Sequence, residues 1–356
     1  MRTTSRLAAV GLVITLAACG SDAPSTTPTA TGPLTLRIGT AEAADSPTSG
    51  QVLEFTRQVD RLSNGRLRVE PVWEARDAGG DDWDQQAARK VISGDLAMGA
   101  IPARSWDTER VTSLRALHAP FLVTSEVLVE QIVTGPVGEQ MLAGLDRAGV
   151  VGLALLPENL RHPFAYGKPI RGPGDYAGAA VRSPRSDLSY RMFTALGARP
   201  DDYPGDSFGT AVENGEIAAA ESAFAWADTL NAPTIATGNV TFYPKVNTLV
   251  VNANTWKALT GEQQTILRDA ARGTRDWAIQ NVTPDTEAAK EFCGRAGTVV
   301  LASPTDLAAL EHAVQPVYTE LQQDPQTTSH IDQIRTLKAA SPSTTASLPT
   351  ACGQPH

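Results

Sequence analysis

The chain has no block of lysines or arginines, no glycine-rich phosphate loop and no Cys-x-x-Cys pair. Beyond its first residues it also has no apolar run long enough to cross a bilayer. Thirty basic residues against 39 acidic ones give a net charge of −9, which with the lack of a basic block argues against nucleic acid as a partner. The five histidines (His118, His162, His312, His330, His356) are scattered, without the close spacing of a metal site, so no metal and no cofactor are expected. Asp81, Asp82 and Asp84 crowd one helix start, where acids serve as caps and dipole partners rather than cation ligands. Gly205-Asp206-Ser207-Phe208-Gly209 matches the nucleophile-elbow pattern, but the preceding Arg199 to Pro204 reads as a loop where that chemistry needs a strand. No catalytic set is placed, and the chain is not expected to be an enzyme.

Cysteine is scarce too, at three in 356 residues. The first follows Leu16-Ala17-Ala18, after a basic start (Arg2, Arg6) and a short apolar core from Leu7 to Leu16. That order reads as a targeting segment. It resembles a bacterial lipobox, which implies cleavage before Cys19 and lipid on its sulfur; the apolar run is too short to span a bilayer. Residues 1–18 are then the signal peptide and 19–33, rich in Ser, Thr and Pro, a disordered tether. The expected location is extracytoplasmic, in the cell envelope, held to the membrane by the lipid anchor alone. Cys293 and Cys352 remain as an even pair in an oxidising compartment. They form either a bridge that pins the tail 339–356 or two free thiols.

What is present is the patterning of an α/β chain. Leu34, Leu36 and Ile38 alternate as a strand, and Val52, Phe55, Val59 and Leu62 recur at helical spacing until Asn64-Gly65 stops them. A strand at Leu67 and Val69, a helix to Ile92 and a strand over 96–101 complete a β-α-β-α-β opening. Residues 114–149 read as broken helix, followed by strands over 150–156 and 160–170. Ala179 to Val181 is a short buried strand that ends on Arg182 and is stopped by Pro184. Strands at 217–220, 246–251 and 299–301 follow, with long helical stretches after Thr260, broken at Pro284. In α/β sheets ligands sit beyond the carboxyl ends of strands. An arginine there is either a bland surface residue or a fork for a carboxylate.

Several segments together resemble a known family. They are Phe55-x-x-x-Val59 with Ser63-Asn64-Gly65-Arg66-Leu67; Val91-x-Ser-Gly-Asp-Leu-Ala-Met; Pro120-Phe121-Leu122; Leu160-Arg161-His162 with Lys168-Pro169-Ile170; and Asp175-x-x-Gly178-x-x-Val181-Arg182-x-Pro184. Asn214-Gly215-Glu216-Ile217 with Glu221, and Asn252 with Trp256 and Leu259, extend the likeness. From about Leu34 to about Leu321 the chain resembles the solute-binding proteins of tripartite ATP-independent (TRAP) transporters, the DctP family. Ala218, Ser222 and the segment Trp73 to Gly79 depart from the family pattern.

The resemblance implies a two-lobed, periplasmic-binding-protein-like (type II-like) α/β fold, with a ligand cleft between the lobes and long hinge helices. Lobe I would take 34–158 plus 246–283, and lobe II 159–245 plus 284–338. It implies capture of a small organic acid and delivery to membrane permease subunits of a TRAP transporter; the alternative is a ligand-sensing protein reporting to a membrane receptor. Arg182 would pair with the ligand carboxylate, Arg161 would be a second contact, and Ser222, Glu221 and Asn252 would lie at the strand ends that supply polar contacts. Glu221 more naturally orients an arginine than faces an anion, because like charges repel. Trp226 is the aromatic expected at the cleft, and His162 either lines it or packs at the lobe interface.

Overall fold

A computed structural model describes residues 33–77, 82–201, 203, 205–229, 233–341 and 349–353. The signal peptide, nearly all of the tether with Cys19, Asp81 of the acidic trio, and most of the C-terminal tail lie outside the described residues.

Among the described residues ten strands form one hydrogen-bonded sheet: β1 (Leu34–Gly39), β2 (Leu67–Val72), β3 (Met98–Pro102), β4 (Val150–Tyr166), β5 (Ala180–Arg182), β6 (Arg199–Asp201), β7 (Ala219–Ser222), β8 (Thr234–Thr237), β9 (Tyr243–Asn252) and β10 (Thr298–Val300). Their spatial order is β2-β1-β3-β9-β4-β7-β5-β6, with β8 on β4 and β10 on β8. Within each half the short strands pair in parallel: β1 with β2 and β3, β5 with β6 and β7, and β8 with β10. The pairings of β4 and β9 are antiparallel.

The 17-residue β4 joins the two halves. Its first part runs beside β9 from Val150↔Asn252 to Arg161↔Tyr243. Its last part, His162 to Tyr166, turns to β7 and β8. The sequence pattern predicts two strands here, split at Pro157-Glu158-Asn159. The backbone instead stays extended and absorbs the proline in a register shift between Pro157 and Leu160, an irregularity where a missing ladder N–H is tolerated. The result is a two-lobed α/β fold whose halves share β4.

Helices cover the sheet where the apolar spacing places them. The helix Pro47–Ser63 starts at Ser46, whose hydroxyl accepts from the Ser49 amide, with Pro47 in its first turn. It ends at Asn64 in the left-handed region, at φ 52°. The helix Gly261–Asn281 opens with a capping box of Thr260 and Gln263 and stops before Pro284. Phe55, Val59, Leu267, Ala270 and Ala271 of these two helices pack on Ile38, Leu67, Leu249 and Val251. In the other half Phe164, Phe224, Phe292 and Val299 form a smaller core. Beside it Cys293 and Cys352 are joined in a disulfide, with Cα atoms 6.1 Å apart, and Cys352 bridges to Val299 of β10.

Two strands escaped the sequence pattern. β6 and β8 have three and four residues, too few for a period to register. β6 replaces part of the predicted loop before Gly205, yet Ser207 lies inside the helix Gly205–Glu213 rather than at a strand-to-helix elbow.

Candidate functional site

A cavity of about 410 Å³ opens where the two halves of the sheet meet. Its charged wall is assembled from strand ends. Arg182 is the last residue of β5, and Arg161 sits where β4 leaves β9. Arg104 follows β3, in the 3-10 turn Ala103–Asp107, and Lys245 lies near the start of β9. The loop after β1 brings Glu42, and the helix Trp83–Ser93 brings Trp83, Asp84 and Gln85. Ser222, Trp226, Tyr203 and Phe208 complete the opposite side. A broader hollow of about 640 Å³ along the helix Pro325–Ala340 has only exposed or half-buried lining residues and no buried charge.

The cations differ in what holds them. Arg104 is 6 % exposed, and its Nη2 donates to Asp84 Oδ2 at 2.6 Å. Arg161 Nε lies 3.7 Å from Glu221 Oε2, beyond a hydrogen bond. Lys245 Nζ is 2.9 Å from Glu42 Oε1 and 3.1 Å from Glu158 Oε2. Glu158 in turn accepts from Thr48 at 2.7 Å and from Asn247 at 2.6 Å. At the rim Arg76 lies 3.2 Å over the Trp83 ring and bonds Glu74 at 3.0 Å. Arg185 has a partner of its own.

Arg182 is the exception. Its guanidinium forms no ion pair among the described residues and makes a cation–π contact with the Phe208 ring, 5.5 Å away. The Nε atoms of Arg104, Arg161 and Arg182 are all buried without an acceptor. Burial depresses the Arg182 pKa; Glu221 pulls it up, and the charges of Arg104 and Arg161 push it down again, leaving it below the ordinary guanidinium value. The Glu42 carboxyl is held at about 2, chiefly by the charge of Lys245. A buried guanidinium with open donors and no carboxylate of its own is a site for an anion.

Of the residues singled out from sequence, Arg182, Arg161, Ser222 and Trp226 line this cavity. Glu221 lies behind the wall, 2 % exposed, beside Arg161. Asn252 does not reach the cavity. It caps the helix Ala253–Ala258, accepting from the Asn254 and Thr255 amides and donating to the carbonyls of Val91 and Ile92. Its place past a predicted strand end suggested a ligand contact, but the helix that follows takes its side chain as a cap. His162 is turned away from Arg161 by the strand alternation and is 1 % exposed. Its Nδ1 meets the Val240 carbonyl at 2.7 Å and its Nε2 meets Asp285. Of the acidic trio, Asp82 bonds Gln86 and Arg89, and Asp84 is taken by Arg104.

Sequence reasoning missed Arg104, Lys245, Glu42 and Asp84. The signal for Arg104 was available: it stands two residues beyond the carboxyl end of the apolar strand β3, much as Arg182 ends β5. For Lys245 and Glu42 no local pattern distinguishes them from surface charges.

A two-lobed α/β frame with an arginine-lined cleft at the seam defines a class of solute-binding proteins. The chain belongs to one family of that class. Residues 38–324 match the family model DctP, described as bacterial extracellular solute-binding protein, family 7. It is 23 % identical over 298 residues to the C4-dicarboxylate-binding periplasmic protein DctP of Shewanella loihica, covering 82 % of this chain and 86 % of that one. A solute-binding protein of Verminephrobacter eiseniae is 23 % identical over 192 residues, covering 53 % of this chain. The chain spans 34 % of the length of an uncharacterised Sinorhizobium fredii relative and 55 % of the Verminephrobacter protein. In structure it is similar to a TRAP periplasmic solute-binding protein of Xanthobacter autotrophicus with bound β-D-galacturonate. The TM-score is 0.73 at 22 % identity, over 85 % of this chain and 99 % of that one. No helix among the described residues is long and apolar enough to cross a membrane.

Proposed function

We propose that the protein captures a small organic acid outside the cell and delivers it to the membrane subunits of a TRAP-type secondary transporter. The observation that carries this reading is the Arg182 guanidinium, lining a cleft of ligand size with open donors and no acid of its own. A carboxylate there takes a bidentate, charge-assisted pair. Arg161 adds a second donor, Ser222 a neutral one, and Trp226 an apolar wall. Glu221, buried behind the wall, offsets part of the positive charge of Arg161 and Arg182 without meeting the ligand.

The lobes proposed are 34–158 with 246–283, and 159–245 with 284–338; the register shift after Pro157 supports a seam there. Closure about that seam would shut the cleft on its ligand. The leader and Cys19 support a lipid-anchored location at the outer face of the cell membrane.

Isothermal titration of the acid that most raises the thermal midpoint tests the reading. Removing one partner of a buried, hydrogen-bonded charge pair costs about 2–5 kcal/mol, so Arg182→Ala should lower affinity at least about thirtyfold. Unchanged affinity would refute the mechanism.

A further inference from the structure

We propose that Asp84 sets the charge of the ligand. By neutralising Arg104 from inside the cavity wall, it leaves Arg182 as the cation with no ion-pair partner among the described residues, and so selects acids with a single negative charge over dianions of the same size. This rests on the reading that the cavity binds an organic acid.

The inference follows from how the buried charges match. Arg104 is satisfied by Asp84 at 2.6 Å, and Arg161 faces Glu221 at 3.7 Å. Lys245 is held between two carboxylates, Glu42 and Glu158. At the rim Arg76 is taken by Glu74, and Arg185 has a partner of its own. Among the cavity cations whose partners are described, Arg182 alone lacks a carboxylate within ion-pair reach. One anionic group therefore completes the site.

A second anionic group would have to displace Asp84 from Arg104. That would leave Asp84, 14 % exposed, as an uncompensated carboxylate in the wall. Otherwise the second group would sit near Asp84 or Glu42 with like charge. Asp84 thus occupies the place a second ligand carboxylate would take. Neutral hydroxyls meet no such conflict.

The test compares matched acids: D-galacturonate with D-galactarate, and D-gluconate with D-glucarate. Thermal midpoints serve first and titration calorimetry second, on the wild-type protein and on Asp84→Asn and Asp84→Ser. In the wild type the monoacid of a pair should bind at least about tenfold tighter, because like-charge juxtaposition penalises the diacid. Freeing Arg104 should shift the diacid-to-monoacid ratio by about tenfold or more toward the diacid. A diacid bound as tightly as its monoacid by the wild type overturns the inference whether or not the variants fold. So does an unchanged ratio in folded variants. If no acid of either charge binds, the capture reading fails and the charge assignment with it.

Discussion

Replacing Lys245 by methionine isolates the most heavily loaded ion pair of the cavity. Lys245 is 5 % exposed and holds Glu42 at 2.9 Å and Glu158 at 3.1 Å. Methionine keeps most of the side-chain volume and removes the charge, leaving two carboxylates facing one another. Breaking a buried pair on one side costs about 3–5 kcal/mol. The lower end applies here, because Glu158 keeps its bonds from Thr48 and Asn247 and Glu42 is 32 % exposed to screening water. A loss of about 3 kcal/mol lowers the thermal midpoint of a domain this large by roughly 4–5 °C.

The pH dependence carries the sharper test. Glu42 has a folded pKa of about 2, below its ordinary 4.5. Its contribution is present in full above the ordinary value and is lost as pH falls toward 2. The gap between wild type and Lys245→Met should therefore be widest at neutral pH and narrow steadily below about pH 4.5. Calorimetric scans at pH 7, 4.5 and 3, without ligand, measure it. Groups that titrate alike in both proteins cancel in the difference. A gap of equal size at pH 7 and pH 3, or no gap at all, would refute the reasoning.

His162 gives the opposite sign. Burial alone would lower its pKa, but the charge and hydrogen bond of Asp285 raise it above the ordinary 6.5. Its charged form therefore stabilises the fold below that value, and the contribution is lost as pH rises through the folded pKa. In urea titrations the deficit of His162→Gln relative to wild type should be larger at pH 6 than at pH 9; equal deficits would rule out a charged pair. Cys352→Ser opens the bridge to Cys293 across 59 residues. The chain-entropy model assigns such a closure about 4 kcal/mol, so the midpoint should fall and the C-terminal tail should become the first site of limited proteolysis.

Much of the frame was legible because its signals are local. Asn64 and Gly65 stop a helix by their backbone preferences, Thr260 and Gln263 start one, and Pro284 breaks one. Arg182 stood out because a short apolar strand ends on it. The continuity of β4 was not legible, since a proline at 157 ordinarily ends a strand and only its neighbours reveal the register shift that accommodates it. The cavity's inner electrostatics were hidden for a related reason. Asp84 and Arg104 are 20 residues apart in sequence, and Lys245 and Glu42 are 203 apart. Nothing local in the chain says which acid meets which base. Asn252 shows the converse: a polar residue past a strand end obeys the same rule as Arg182, yet its amide is consumed by the next helix.

The order β3-β9-β4 has a consequence for how the protein is made. β9 lies between two strands that precede it by many residues. Until residue 252 leaves the ribosome, the wholly buried β3 and the first half of β4 both present open edges with no strand to fill the gap between them. The half built on β1 to β3 lacks its next strand until then, so folding vectorially from the N-terminus is expected to wait at that vacancy. A chain exported while still unfolded avoids the stall. A chain that lingers with about two thirds of its length complete is the species most exposed to edge-to-edge aggregation.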